Sequence, residues 1–125
     1  MFIDSCHIIR ILDLPALMEK KSHFLFEPRH TGKTFLIHHT MRGVKVYDLL
    51  DTSIYLALSQ NPGRIEQELT AEDRVVVIDE IQRLPDLLNE VHRLIETRDV
   101  RFLLTGSSAR KLRRSGVNLK FLPTI

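Results

Sequence analysis

Residues 24–34 read FLFEPRHTGKT, an apolar run that breaks into a polar octet, Glu27 to Thr34, with a glycine and a lysine near its end. The octet meets the phosphate-binding loop pattern G-x-x-x-x-G-K-[ST] at every fixed position except the first, where Glu27 stands in place of glycine. Each fixed residue has a chemical task. Gly32 lets the backbone bend so that successive N–H groups converge on phosphate oxygens, Lys33 sets an ammonium against the outer phosphates, and Thr34 offers a hydroxyl to magnesium. Pro28, Arg29, His30, Thr31, Gly32, Lys33 and Thr34 are the candidate nucleotide-contacting residues. The octet lies between an apolar strand, 23–26, and a helical stretch, 33–41, so bound phosphates would meet the positive end of a helix dipole. Strand, loop and helix in that order predict an α/β fold.

Glu27 opposes this reading in two ways. A residue with a Cβ in a backbone region suited to glycine costs roughly 1–3 kcal/mol. A carboxylate aimed at phosphate is also repelled, by about 4 kcal/mol per charge pair at 4 Å with an effective dielectric near 20. Turned outward, or paired with Arg29, the side chain escapes the repulsion; paired with Lys33, it closes the empty loop against ATP.

The same alternation of short apolar runs and helical patterns continues along the chain, as expected of a mostly parallel sheet covered by helices. Strands are predicted at 23–26, 44–48, 75–78 and 101–105. The third, an unbroken apolar run, suits a strand buried on both faces. The clearest helix lies between the third and fourth strands, where Leu84, Leu87, Leu88, Val91, Leu94 and Ile95 recur at helical spacing and Pro85 stands at the first helical position. Further helices are predicted at 14–20, 53–59 and 64–69, with a turn at Asn61, Pro62 and Gly63.

The third strand ends in two acids, Asp79 and Glu80, in the sequence VVVIDE of residues 75–80. An apolar strand ending in this pair is the Walker B pattern. A parallel strand delivers its terminal carboxylate to the sheet's C-terminal edge, where a phosphate-binding loop also lies. Asp79 is there placed to hold Mg2+ through water, and Glu80 to orient or deprotonate an attacking water.

Composition sets the outer limits. The chain has 125 residues, 43% hydrophobic and 27% charged, enough for one domain with one core. A net charge of +2 is too mild to imply nucleic-acid binding, and the single Cys6 suits a reducing compartment. With no apolar run long enough to span a membrane, a cytoplasmic protein is expected. Arg110, Lys111, Arg113 and Arg114 form a basic cluster without interleaved aromatic residues, which suits a solvated face better than a nucleic-acid surface. His38 and His39 are helix neighbours facing different ways, and His30 shapes the loop rather than binding zinc.

Three blocks, FLFEPRHTGKT at 24–34, VIDEIQRLP at 77–85 and FLLTGSSARKL at 102–112, resemble prokaryotic AAA-type P-loop ATPases, with GPRxTGK[ST], IDEIQxxP and LTGSS blocks in the same order. The resemblance implies a three-layer P-loop core with ATP and Mg2+ as ligands. It also implies a polar γ-phosphate sensor after the Walker B strand, a role open to Thr105, Ser107 or Ser108, with Ser107 preferred. Ser107 and Ser108 are equally suited to cap a helix running to Arg113. Family members continue past the position of residues 116–119 into a further strand, a lid and a second domain. The chain is therefore expected to be the N-terminal portion of one such domain, with the sheet incomplete at its C-terminal end and the loop-bearing strand at an edge that invites a homo-oligomer or another protein partner. Two functions compete: an ATPase using Lys33, Glu80 and Ser107, and a non-catalytic remnant impaired at Glu27 and by its missing part. A nucleic-acid-binding module is the weaker third.

Overall fold

A computed structural model describes residues 22–26 and 44–106. The octet 27–34, the helices expected at 14–20 and 33–41, Ser107, Ser108 and the basic cluster lie outside the described residues, as do Cys6, His30, His38 and His39.

Four strands form one sheet: β1 (His23–Phe26), β2 (Lys45–Asp48), β3 (Val75–Asp79) and β4 (Arg101–Gly106), in the order β1-β4-β3-β2 and parallel at every pairing. The α/β expectation holds, with each strand displaced by no more than a residue at either end. β3 is central because three valines and an isoleucine suit a strand covered on both faces. Val76, Val77 and Ile78 are all fully buried. Successive side chains point to opposite faces, so Val76 and Ile78 join one face and Val77 and Asp79 the other. β1 is an edge strand of this sheet, its described partner being β4.

Helices α1 (Thr52–Gln60), α2 (Arg64–Glu68) and α3 (Leu87–Thr97) accompany the strands. α1 begins where Asp51 accepts the Ser53 N–H at 2.9 Å, satisfying a donor that the first helical turn leaves open. α3 buries Leu87, Leu88, Val91 and Leu94. These leucines and valine share a core with Phe24, Val76, Ile78, Phe102 and Leu104 from the sheet.

The entry to α3 differs from the expected start at Pro85. A short 3-10 turn, Ile81–Arg83, follows β3, and the α-helix begins only at Leu87. Pro85 bounds this entry on its N-terminal side. Its ring disfavours helical angles in the residue before it, and Leu84 takes φ −145°, ψ 72°. The intervening turn is closed by Leu87 N–H to the Leu84 carbonyl at 3.1 Å and Leu88 N–H to the Pro85 carbonyl at 3.0 Å.

One side chain extends the sheet at its N-terminal end. Ser22, nearly fully buried, accepts the Phe102 N–H on its hydroxyl oxygen at 2.7 Å and so fixes the start of β1 against β4. Among the described residues no helix is long and apolar enough to cross a membrane.

Candidate active site at the C-terminal edge of the sheet

Parallel pairing brings the strand ends to one edge, which in open α/β sheets is where ligands bind. The registers set Phe26 beside Gly106, Ile78 beside Leu104 and Asp48 beside Asp79. One step beyond the Ile78 and Leu104 pair, Asp79 and Thr105 meet, and the Thr105 hydroxyl donates to Asp79 Oδ1. Both are buried, Asp79 at 3% exposure and Thr105 at 0%. Asp48 reaches the same edge, but its carboxylate accepts the Leu50 N–H at 2.9 Å and so serves the turn after β2. That turn is tied to the site by the Leu49 N–H, which donates to the Asp79 carbonyl at 3.1 Å.

Glu80 leaves the strand in a left-handed conformation, φ 63° and ψ 52°. Among the described residues it alone has positive φ without being glycine. Such a residue costs on the order of 1–3 kcal/mol and persists where its surroundings over-determine it. Here the Glu80 N–H donates to Thr105 Oγ1 at 3.1 Å, its carbonyl accepts the Arg83 N–H at 3.0 Å, and its carboxylate accepts from Gln82 Nε2. Fully buried Ile81 anchors the next position in the core. The chain leaves the strand through this turn with the Glu80 side chain still buried, 3% exposed.

Two carboxylates, a hydroxyl and an amide are therefore gathered within four residues of sequence and one neighbouring strand. Asp79 and Glu80 were legible as a pair from the sequence. Gln82 belongs with them through its bond to Glu80. Thr105 was in view only as one of three phosphate-sensor candidates, and its double contact with Asp79 and Glu80 had no local signal. Lys33, Thr34 and the rest of the octet, with Ser107, lie outside the described residues.

Hard carboxylate oxygens at this edge suit magnesium, which commonly takes one or two carboxylates together with phosphate oxygens rather than an all-protein cage. Among the described residues no group of three or more His, Cys, Asp or Glu is arranged to hold a metal ion.

Ion pairs among the described residues also tie the helices and loops together. Glu66 takes Arg93 and Arg98 at 3.0 and 3.3 Å, and Arg74 meets Asp99 at 2.8 Å. Hydrogen bonds from Arg93 hold the Glu66 carboxyl below its ordinary pKa. Burial, and then the hydrogen bond to Glu68, raise the Tyr47 hydroxyl. The Glu66 and Tyr47 contacts tie α2 to α3 and to β2, and the Arg74–Asp99 pair joins the segments that enter β3 and β4.

A family model described as an AAA domain matches residues 19–119, a range that includes the octet, both acids and Thr105. No curated protein matches the chain.

Proposed function

Because this chain belongs to the AAA domain family, we propose that it binds Mg-ATP at the C-terminal edge of its sheet and hydrolyses the γ-phosphate there. The observation that carries the reading is the pair of buried acids closing the central strand, Asp79 held by Thr105 and Glu80 held by Gln82. The octet after β1 supplies the complementary half: Gly32 and its neighbours turn N–H groups toward phosphate, and Lys33 neutralises the outer phosphates. Asp79 and the Thr34 hydroxyl are the residues that would hold magnesium, whose bound charge offsets that of the phosphate oxygens. Glu80 takes the proton of the attacking water as oxygen bonds to the γ-phosphorus and the bond to the β-phosphate oxygen breaks, leaving ADP and phosphate. Ser107 reads the γ-phosphate. Positioning and charge neutralisation supply most of the acceleration in such a transfer.

A second reading is favoured by one residue, Glu27, whose carboxylate stands where the loop calls for glycine. In that case the nucleotide site is impaired and the chain serves as a non-catalytic interaction module. Calorimetric titration of Mg-ATP into wild type, Glu27→Gly and Lys33→Ala, each checked for folding by circular dichroism, separates the two. Micromolar binding by wild type that is lost in Lys33→Ala is the expected result. Binding by Glu27→Gly alone would establish a site disabled at one position, and equal binding by all three would sink the loop assignment.

A further inference from the structure

We infer that Thr105 is a positioning residue for both acids: it orients the magnesium-binding carboxylate of Asp79 and fixes the backbone from which Glu80 reaches water, and it does not itself contact the γ-phosphate. The inference rests on the functional reading above and goes beyond it in giving β4 a part in the site.

The hydroxyl of Thr105 stands in an apolar stretch of β4. Thr105 follows Leu103 and Leu104, and all three are 0% exposed. A hydroxyl in such a place is costly unless it is hydrogen-bonded, and a valine would fill nearly the same space without the cost. Both bonds of this hydroxyl run to the acid pair. Its single proton goes to Asp79 Oδ1, and a lone pair receives the Glu80 N–H at 3.1 Å. These assignments are forced by chemistry: an N–H can only donate, so the hydroxyl must accept there, and its one proton is left for the carboxylate. With that proton directed at Asp79, none remains to donate to a phosphate oxygen.

The second bond is as informative as the first. β3 ends at Asp79, and the next N–H, that of Glu80, donates to the Thr105 hydroxyl. Thr105 supplies an acceptor for this buried N–H, so the turn that aims Glu80 depends on the same oxygen that holds Asp79. One side chain on β4 thus sets two carboxylates 25 and 26 residues away in sequence.

The test compares ATP affinity in MgCl2 with affinity in EDTA, by calorimetry on the full chain, for wild type, Thr105→Val and Thr105→Ser. Partners that orient a metal ligand typically contribute about 10–100-fold in metal affinity or activity. Thr105→Val is therefore expected to lose about that much affinity in magnesium while its affinity in EDTA stays at the wild-type value, and its turnover falls in parallel. Thr105→Ser, which keeps the hydroxyl, is expected to restore the magnesium effect. A purely structural role would lower both affinities together and would be visible in the melting temperature. A direct phosphate contact would weaken ATP relative to ADP in EDTA as well. Either pattern, or an unchanged Thr105→Val, overturns the inference. If Thr105→Val does not fold, Thr105→Cys, a weaker donor of similar size, takes its place, with a partial loss of the magnesium effect expected and none overturning it. Failure of wild type to bind ATP in magnesium would bring down the functional reading and this inference together. Normal wild-type binding with an indifferent Thr105 would remove this inference alone.

Discussion

The left-handed backbone at Glu80 makes a prediction whose sign is unusual. Replacing Glu80 with glycine and, separately, with alanine removes the same carboxylate and the same bond from Gln82, so the difference between the two variants isolates the backbone. An L-residue with a Cβ loses roughly 1–2 kcal/mol in the left-handed region, which glycine does not. Glycine in turn loses roughly 0.4–1 kcal/mol through its freer unfolded chain. The balance leaves Glu80→Gly more stable than Glu80→Ala by about 1 kcal/mol, whereas at an ordinary strand or helix position alanine would be the more stable by a similar amount. Urea denaturation followed by circular dichroism reads this directly. With a slope of about 2 kcal/mol per molar urea, the glycine variant should unfold at a midpoint about 0.5 M higher. Equal midpoints, or a higher one for alanine, would show that φ 63° is not the conformation Glu80 holds in solution. Neither variant should hydrolyse ATP, so the more stable of the two would still be inactive, a separation of stability from activity common where strain sits at a functional position.

Glu80→Gln changes the acid without changing the turn, since the bonds to Thr105 and Arg83 run through its backbone. Mg-ATP affinity should stay within about threefold while single-turnover hydrolysis falls about 10²–10⁴-fold, the usual range for a lost general base; unchanged turnover would remove Glu80 from the chemistry. Asp73 provides a pH test distant from the site. Its carboxylate accepts the Thr70 N–H at 2.9 Å, and that bond, followed by the Thr70 hydroxyl and Lys45, holds its pKa below the ordinary carboxylate value. A depressed carboxylate contributes stability that is complete above the unfolded value near 3.9 and is lost as pH falls through the folded value. Asp73→Asn should therefore be less stable than wild type by about 1 kcal/mol at pH 7, with the gap closing below about pH 4. A gap that stays constant down to pH 2 would refute the assignment.

The sheet was readable because its signals are local. Four apolar residues in a row at 75–78 can hardly be anything but a buried strand, and the carboxylates at 79 and 80 then fall at its C-terminal end by simple continuation. The start of α3 was misplaced by two residues because Pro85 suits a first helical position, whereas the turn from Leu84 to Leu88 is closed by bonds three residues apart and the α-helix follows it. Nothing in the sequence marks Glu80 for positive φ, since glycine or asparagine is the usual sign of that region. The Thr105 contacts were out of reach for another reason. They depend on which strand lies beside β3 and in what register, and neither is written in the residues near 105. The bond from Gln82 back to Glu80 belongs to the 3-10 turn at 81–83, which lies ahead of the expected helix.

The parallel register has a consequence for how the site tolerates change. In-register neighbours share a face, and on β4 Phe102 and Leu104 face the helix-covered core while Leu103 and Thr105 face the other way. Sliding β4 by a single residue would exchange the two sets: an aliphatic chain or a bare glycine would come to rest against Asp79, and the hydroxyl would be driven among the leucines of α3. The acid pair is therefore indexed by the hydrophobic core, as a key is indexed by the teeth that never touch the bolt. Substitutions on the core face of β4, at Phe102 or Leu104, can blunt the alignment of Asp79 and Glu80, and their mark would be lost magnesium dependence in a protein that still folds.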